Sequence, residues 1–462
     1  MNIYTKYKKV YLAGIGGIGV SAIARLFEHN GAEVFGSDQS QSGITDDLEK
    51  AGITVYYKQS KENITDDIDL FIHTPALPKD HVEIVRAREL NIPIYSYPQF
   101  LGLLSQEYKT IAISGTHGKS STTAMLGLIL QAAGIDPTVI VGSQVKEFDH
   151  NLRLGKSKYL VLEACEYRGH MLELFPEYIC LTNIEKDHLD YYKDLHDIEE
   201  HFTRFISKVD KNKLYLNIDN SSLFAMHESS GGNTYGIDIP AHYQAANIIV
   251  DNGKQYFDLY IANKKIIQIC LSVPGKFNVY NALAAISVAD ALGVKSAVYK
   301  NVLADYKGCW RRFEILGNIK YKKKTLLISD YAHHPTAVQS TIQAAKEFYP
   351  DRRLVVVFEP HQHNRTKELF EDFVKAFSLA DYVIISEIYD VKGREAEADQ
   401  LVSSKDLVNE IINRKQMLET QIEYSPNLKN TKKRIVANTS NDDIVIVMGA
   451  GDIDNIARQL SE

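Results

Sequence analysis

A glycine-rich loop lies between an apolar run and an amphipathic segment in the middle of the chain. The run covers residues 110–114, the loop 115–120, and the helical pattern continues to about Ala133. Such a loop has to follow a buried strand and open a helix, because its backbone N–H groups and the helix dipole then point at one anion. The chain is therefore predicted to contain a parallel α/β sheet with a phosphate site at its edge.

The loop is a shortened form of the phosphate-binding consensus, which places a glycine where this chain has Ile113. A lysine at the start of the helix can reach the β- and γ-phosphates of a nucleotide, and the hydroxyl that follows it can bind Mg²⁺. We predict an ATP site that contains Gly115, Thr116, His117, Gly118, Lys119, Ser120 and Ser121.

Two further residues follow apolar strands of the same region. Glu163 comes directly after the run 159–162, and His188 follows the next run, 178–181. Ligands in open α/β sheets bind outside the carboxyl ends of the strands, so both side chains are expected near the phosphate loop. We predict a Mg²⁺ (or Mn²⁺) site formed by Ser120, Glu163 and His188.

The chain has 462 residues, which is too many for one hydrophobic core. The alternation of apolar runs and helical patterns predicts an α/β protein of three domains. These are a Rossmann-like N-terminal domain (1–106), a central phosphate-loop ATPase domain (107–311) and a C-terminal Rossmann-like domain (312–462). Within them, 233–271 is predicted to form antiparallel strands, and 427–434 a solvated polar connector.

Composition excludes several classes of protein. The formal net charge is −7, whereas a nucleic-acid-binding protein is usually basic. No apolar stretch is long enough to span a membrane, and the N-terminus lacks the pattern of a signal peptide. The four cysteines form no CxxC pair. We predict a soluble cytoplasmic protein that binds no nucleic acid and is a monomer or a weak homodimer.

A second glycine cluster, Gly14 to Gly19, follows the first predicted strand, and Asp38 lies about the expected distance beyond it. By itself this pattern predicts a nicotinamide-dependent dehydrogenase with Asp38 on the ribose. That alternative leaves the phosphate loop unexplained. Another alternative, a non-catalytic nucleotide switch, predicts no acceptor site, although histidine, tyrosine and arginine residues cluster between 331 and 365.

Several motifs in one order resemble those of the Mur ligase superfamily of peptidoglycan synthesis. The resemblance covers essentially the whole chain, and the most similar branch joins L-alanine to UDP-N-acetylmuramate. The motifs lie at 14–19 with 36–38, 115–120, 163–167, 182–188, 274–285, 311–314, 330–336 and 358–366.

The resemblance implies an ATP-dependent ligase that passes through an acyl phosphate and forms an amide bond. Its implied catalytic residues are Lys119, His188, Arg312 and His333. The nucleotide would also contact Asn278, Asn281, Arg312 and Asp330. The UDP-sugar would contact Gly14, Gly16, Gly17, Ile18, Gly19, Ser37, Asp38 and His73. The amino acid would contact Tyr331, His333, His361 and Arg365.

The chain departs from the family pattern at Gln362, where an arginine is frequent, so Arg365 alone is expected to hold the amino-acid carboxylate. Alanine, glycine and serine are all candidate amino acids. The murein-recycling ligase, which adds a tripeptide, resembles this chain in the first two domains. Its third-domain motif usually lacks the pair Pro360-His361, which favours a single amino acid here.

Overall fold

The computed structural model describes residues 3–148, 150–320, 322, 324–390 and 402–461. The chain divides into two compact units. The first comprises Met1–Ile184, Ile198–Tyr235 and Ala284–Tyr299, and the second Glu185–Asp197, Gly236–Leu283 and Lys300–Glu462. Three sheets flanked by helices confirm the predicted three-domain α/β class. The boundaries at 106/107 and 311/312 stay predictions. Among the described helices, none has the length and apolar character that crossing a membrane requires.

The first sheet is parallel, with the strand order β3-β2-β1-β4-β5. Its strands are β1 (Lys9–Ala13), β2 (Glu33–Ser37), β3 (Thr54–Tyr56), β4 (Leu70–His73) and β5 (Ile94–Ser96). Its helices are α1 (Ile3–Lys6), α2 (Ile18–His29), α3 (Gly43–Lys50), α4 (Val82–Glu89) and α5 (Tyr97–Gln106). The strand order reverses at β1, so the loop after β1 lies at the switch point where such sheets bind ligands.

The second sheet has seven strands in the first unit, in the order β12-β11-β10-β6-β9-β7-β8. They are β6 (Lys109–Ser114), β7 (Thr138–Val145), β8 (His150–Arg153), β9 (Tyr159–Ala164), β10 (Tyr178–Leu181), β11 (Leu214–Asn217) and β12 (Asn233–Gly236). Helices α6 (Lys119–Ala132), α7 (Leu195–Ile206) and α8 (Ser221–Ser230) follow in the same part of the chain. Strand β6 pairs in parallel with both β9 and β10, so their carboxyl ends meet at the phosphate loop.

Three antiparallel strands belong to the second unit: β13 (Tyr243–Asp251), β14 (Lys254–Ile261) and β15 (Lys264–Leu271). The prediction of antiparallel strands across 233–271 is wrong at its start, because β12 pairs in parallel with β11. The first hairpin turns at Asn252 and Gly253, whose φ angles of 49° and 69° suit a tight two-residue turn. Helices α9 (Lys276–Ala291) and α10 (Ser296–Asp305) follow.

The third sheet has the order β16-β17-β21-β18-β19-β20 and is parallel except for β16. Its strands are β16 (Glu314–Gly317), β17 (Leu326–Asp330), β18 (Leu354–Phe358), β19 (Tyr382–Ser386), β20 (Ile422–Ser425) and β21 (Ile444–Met448). Its helices are α11 (Pro335–Phe348), α12 (His363–Glu368), α13 (Phe370–Ala376), α14 (Ser404–Asn413), α15 (Leu428–Asn438) and α16 (Ile453–Ser461). Successive residues of β18 enter two different apolar clusters, so both faces of the sheet are covered.

The predicted polar connector at 427–434 is wrong, because the segment belongs to α15. The side chain of Asn427 caps that helix by accepting a hydrogen bond from the backbone N–H of Asn430 at 2.9 Å. Only Thr431 and Ile435 are buried in α15, so its composition is polar although it is helical. A helix that buries one narrow stripe carries few apolar residues.

Candidate functional site

The phosphate loop joins β6 to α6 and needs glycine at two positions. Gly115 and Gly118 have φ angles of 134° and 84°, which L side chains rarely adopt. A Cβ atom on Gly115 would also collide with the hydroxyl of Thr182. Helix α6 begins at Lys119, so its N-terminal amides lie at the end of the loop. The predicted strand, loop and helix are therefore present with the geometry that anion binding requires.

Residues at the end of β10 brace this loop from the neighbouring strand. Asn183 accepts from the amide of Thr116 through its backbone oxygen (3.0 Å) and from the amide of His117 through its side chain (2.8 Å). The hydroxyl of Thr182 donates to the His117 carbonyl at 2.6 Å. The first loop amides thus bind protein acceptors, and the amides at the start of α6 are the donors expected to face a phosphate.

Lys119 is held by a carboxylate that the sequence did not reveal. Its Nζ lies 2.7 and 3.0 Å from the two carboxylate oxygens of Glu166, and it also donates to the carbonyls of Gly115 and Thr116. Burial alone would lower the pKa of Lys119, but Glu166 and, to a smaller extent, Cys165 and Glu163 together outweigh burial, and the pKa lies above its ordinary value. The cation predicted to meet phosphate is therefore charged and paired.

Two of the three predicted metal ligands meet in the first unit. The Ser120 hydroxyl donates to Glu163 Oε2 at 3.1 Å, and the other carboxylate oxygen of Glu163 accepts from the amide of Gly142. A hydroxyl and a carboxylate at a phosphate loop are the hard oxygen donors that Mg²⁺ prefers, so these residues fit the ion. The third predicted ligand, His188, belongs to the second unit. The three-residue metal site stays a prediction.

The glycine loop after β1 is braced by Asp38. Its Oδ2 accepts from the amide of Gly16 at 2.9 Å, and its Oδ1 accepts from the amide of Gln39 at 2.8 Å. A Cβ atom on Gly16 would lie 2.9 Å from the same Oδ2. On Gly19, a Cβ atom would lie 2.6 Å from the ring of Tyr97. The loop therefore has no room for side chains at these positions, and Asp38 holds its shape.

Ser37 and His73 lie beside this loop, because β2 and β4 flank β1 at its carboxyl end. The hydroxyl of Ser37 donates to Glu83 at 2.6 Å and is fully buried. Glu83 also accepts from Tyr11 (2.8 Å) and Asn63 (3.0 Å). His73 lies 2.9 Å from the Thr74 carbonyl through Nδ1, and burial lowers its pKa. The ring of His73 is therefore neutral, and its Nε2 can accept a hydrogen bond. Ser37, in contrast, contributes mainly to the support of the loop.

The predicted adenine contacts lie together at the start of α9. The Asn278 amide donates to the Pro274 carbonyl at 2.7 Å, and its oxygen accepts from Asn281 at 3.1 Å. Both side chains are buried. These bonds place the two amides on one turn of the helix, as the sequence spacing of three residues predicts. Their contact with adenine stays a prediction.

Two consecutive arginines precede β16, and they differ in what they contact. Arg311 is buried and donates to the carbonyls of Gly449 and Gly451. Arg312 packs over the ring of Tyr331, 4.7 Å from its centroid. Within the described residues, the Arg312 guanidinium makes no hydrogen bond or ion pair, so it is the arginine with donors available for an anion.

Asp330, predicted to contact ribose, ends β17. Its oxygens accept from the amides of Phe313 and Ala332, both at 2.7 Å. Burial raises the pKa of this carboxyl, although Arg312 and the two amides oppose the change. Asp330 thus anchors the segment that carries Arg312, and a ribose contact would use the remaining lone pairs.

The predicted amino-acid residues meet in the second unit. His333 lies 5.1 Å from Tyr331 and 5.7 Å from His361, ring centroid to centroid. Its Nδ1 donates to the Tyr331 carbonyl at 2.7 Å, since a carbonyl can only accept. Burial, and then the charge of Arg365, lower the pKa of His333 well below its usual value. The ring is therefore neutral, and its Nε2 carries a lone pair.

Arg365 is paired with Asp187, on the segment between β10 and α7. Its Nε and Nη2 lie 3.1 and 2.7 Å from Asp187 Oδ1, and its Nη1 donates to His361 Nδ1 at 3.1 Å. Asp187 Oδ1 also accepts from the amide of His188 at 2.7 Å. Burial would raise the pKa of Asp187, but Arg365 and the nearby histidines hold it well below its usual range.

Sequence reasoning missed three residues of these clusters: Glu166, Asp187 as a partner of Arg365, and Tyr97. Glu166 follows β9 by two residues, so the strand-end rule that found Glu163 could have included it. Asp187 and Arg365 lie 178 residues apart, and no local pattern joins them. Tyr97 is recognisable only from the space that Gly19 leaves for its ring.

Three family models match the chain in succession. The model described as "Mur ligase family, catalytic domain" matches residues 9–109, "Mur ligase middle domain" matches 113–289, and "Mur ligase, glutamate ligase domain" matches 311–451. Each predicted ligand cluster contains residues inside at least one of these ranges.

Curated relatives match nearly the full chain. The UDP-N-acetylmuramate–L-alanine ligase of Caldanaerobacter subterraneus is 36% identical over 463 residues, which cover 99% of this chain and 98% of that protein. The enzyme of the same name from Clostridium kluyveri is 38% identical over 461 residues, 97% of each chain.

Two solved structures share the architecture. The crystal structure of a UDP-N-acetylmuramate–alanine ligase from Thermotoga maritima has a TM-score of 0.84 and 30% identity, and covers 98% of each chain. A murein peptide ligase from Psychrobacter arcticus has a TM-score of 0.72 and 24% identity, also over 98% of each chain. The second similarity shows a common fold alone.

Proposed function

The chain belongs to the Mur ligase family, and from that premise we propose that it is an ATP-dependent ligase that joins L-alanine to UDP-N-acetylmuramate. The observation that carries the proposal is the presence, in one chain, of a phosphate loop and a partly buried cluster of Tyr331, His333, His361 and Arg365. The first suits a nucleotide and the second an amino acid. Neither a dehydrogenase nor a nucleotide switch requires both a phosphate loop and an amino-acid site.

In the proposed reaction, a carboxylate oxygen of UDP-N-acetylmuramate attacks the γ-phosphorus of ATP, and ADP leaves. The amine of alanine then attacks the acyl phosphate, the C–N bond forms, and inorganic phosphate leaves with the electron pair of the broken C–O bond. The first step is phosphoryl transfer, in which a protein contributes mainly positioning and charge neutralisation.

Lys119 and Arg312 are the cations proposed to meet the phosphates. Lys119 stands at the N-terminus of α6, and Arg312 has donors available beside Tyr331. Ser120 and Glu163 are proposed to hold Mg²⁺ with His188 as a third ligand, and the ion would supply further neutralisation of phosphate charge. Asn278 and Asn281 would hold the adenine, and Asp330 the ribose.

The acceptor side needs one group for the carboxylate of alanine and one for its amine. Arg365 offers a planar fork that matches a carboxylate. His333 is neutral with Nε2 as an acceptor, so it is proposed to bind the ammonium group and take a proton from it. Tyr331 and His361 pack against His333 and fix the orientation of its ring.

The UDP-sugar is proposed to bind at the glycine loop after β1, through Gly14, Gly16, Gly17, Ile18 and Gly19. The amides of Gly14, Gly16 and Gly17 bind protein acceptors, so the amides at the start of α2, from Ile18 onward, are the donors proposed for the pyrophosphate, and the glycines let it approach the backbone closely. His73 lies beside the loop, and Asp38 and Ser37 support it. A cytoplasmic location and a monomeric or weakly dimeric state stay predictions.

A murein-recycling ligase that adds a tripeptide is the other candidate. The relatives at 36–38% identity carry the name of the alanine ligase, whereas the murein peptide ligase structure has 24% identity. These identities support the single amino acid.

The test is a phosphate-release assay with ATP, UDP-N-acetylmuramate and one acceptor at a time. We expect release with L-alanine, less with glycine or L-serine, and little with the tripeptide L-alanyl-γ-D-glutamyl-diaminopimelate. Release that depends on the tripeptide and not on alanine would favour the recycling reaction. Release without any acceptor would contradict a ligase.

A further inference from the structure

Arg365 and Asp187 are both buried, with 9% and 8% of their surfaces exposed. Asp187 Oδ1 takes the Nε and Nη2 side of the guanidinium, while Nη1 donates to the ring and the carbonyl of His361 at 3.1 and 3.3 Å. All three guanidinium nitrogens therefore already have acceptors. A bidentate contact to a second carboxylate requires one of these acceptors to leave.

The charge of the surrounding cleft indicates which acceptor leaves. The cleft is lined by two cations and three carboxylates, and its Gln362 is neutral. The cations are Lys186 and Arg365, and the carboxylates are Asp187, Asp190 and Glu368. If Asp187 stayed on Arg365, the α-carboxylate would share one guanidinium with a second carboxylate, and two negative charges that close in a buried place repel each other. Exchange of one carboxylate for the other leaves the charge at Arg365 unchanged.

We propose that Asp187 determines acceptor specificity by occupying, on Arg365, the position of the α-carboxylate of the amino acid, which must displace it. This inference rests on the proposed function. An amine without a carboxylate cannot make this exchange and therefore gains no contact with Arg365. Because Asp187 Oδ1 also accepts from the amide of His188, the exchange releases the segment that carries the proposed metal ligand.

The test compares the wild type with Asp187→Asn, which keeps the shape of the side chain and removes its charge. With ATP and UDP-N-acetylmuramate saturating, the KM for L-alanine is expected to fall about tenfold in the variant. The KM values for the other two substrates are expected to stay within twofold. Propionate, a carboxylate without an amine, is expected to bind the variant about tenfold more tightly in calorimetry. The double variant D187N/R365A should lose that gain.

Asp187→Asn leaves Arg365 without its charged partner, so the thermal midpoint of the variant is measured in parallel. Asp443→Asn is the matched control, because Asp443 is buried and pairs with Arg353 at 2.9 Å just before strands β21 and β18. The control should lower the midpoint and leave the KM for alanine unchanged. A KM for alanine that is unchanged or raised in Asp187→Asn would overturn the proposal and assign Asp187 to the orientation of Arg365.

A measurement on the wild type covers the case in which the variant does not fold. Hydrogen exchange of the backbone amides at 186–190 is followed with and without L-alanine, and displacement of Asp187 should speed exchange at His188. Unchanged or slower exchange there would contradict the exchange of carboxylates. If the wild type releases no phosphate with alanine, the proposed function fails. If the wild type releases phosphate with alanine but both the KM test and the hydrogen-exchange test fail, the proposed function stands and only the inference about Asp187 is overturned.

Discussion

Two cations predicted to bind substrate anions, Lys119 and Arg365, are each paired with a carboxylate of the chain, but the carboxylates are held differently. Glu166 stands two residues beyond β9, a strand fixed in the sheet on both sides, and both its oxygens contact Lys119. Asp187 lies on the segment between β10 and α7 and uses one oxygen. A carboxylate close to the end of a central strand is expected to stay and share its cation, whereas one on a longer segment between elements is expected to leave.

The largest effect is expected from Lys119→Ala. The γ-phosphate then loses the charge that lies at the start of α6, and turnover should fall by at least about 1000-fold, which is the scale of about 4 kcal/mol in the barrier. UDP-N-acetylmuramate should bind with an unchanged Kd in calorimetry, because its proposed loop follows β1 and not β6. Lys213→Ala, which removes another paired lysine of the first unit, is the control. Equal loss of turnover and UDP-sugar binding would contradict the assignment.

Arg365→Ala tests the other pair. The KM for L-alanine should rise about 100-fold, since a charge-assisted bidentate contact and its buried setting contribute about 3 kcal/mol. The KM for ATP should change little. Arg353→Ala removes an arginine paired with a buried aspartate elsewhere in the same unit and controls for loss of stability. A rise in the KM for ATP as large as that for alanine would place Arg365 at the nucleotide instead.

The third predicted anion site differs from these two, because the described contact that braces it contains no cation. At the loop after β1, Asp38 braces the backbone amide of Gly16 and no lysine or arginine takes part in that contact. Asp38→Ala should weaken UDP-sugar binding about tenfold in calorimetry, because the loop loses its fixed shape, at a cost of about 1–2 kcal/mol for a lost, partly buried hydrogen bond to a charged group. The protein should show no affinity for NAD before or after the change. NAD binding that Asp38→Ala abolishes would restore the dehydrogenase alternative.

The fold was predictable where periodicity is strong. The apolar runs around 110–114 and 354–358 became β6 and β18, and the segment after the phosphate loop became α6. The segment 427–434 was missed, because α15 buries only Thr431 and Ile435 and resembles a polar loop. The position of Glu163 beside Ser120 was predictable, because the carboxyl ends of parallel strands meet at one edge of a sheet.

The ion pairs of Lys119 and Arg365 could not be predicted from the sequence. Lys119 and Glu166 lie 47 residues apart, and Asp187 and Arg365 lie 178 apart, so their contacts depend on how strands and loops are arranged in space. A charged residue in a loop is usually solvated, and nothing in its neighbours along the chain shows that it is buried with a partner. The sequence motifs therefore indicated the two cations but not the carboxylates that pair with them.

The smallest effect is expected from Glu166→Gln. The amide keeps a hydrogen-bond acceptor for Lys119 but removes the negative charge that competes with phosphate, so the Kd for ATP should fall about fivefold, or about 1 kcal/mol. Glu177→Gln, which removes the charge opposite Lys213 in the same unit, should leave that Kd unchanged.

If Glu166 instead orients Lys119 while the nucleotide is bound, the Kd for ATP will rise. Because Glu166 lies only two residues beyond β9, the gain in ATP affinity should be smaller than the tenfold gain expected for Asp187→Asn at the acceptor. A larger gain at Glu166 would contradict the distinction between a carboxylate that shares its cation and one that leaves it.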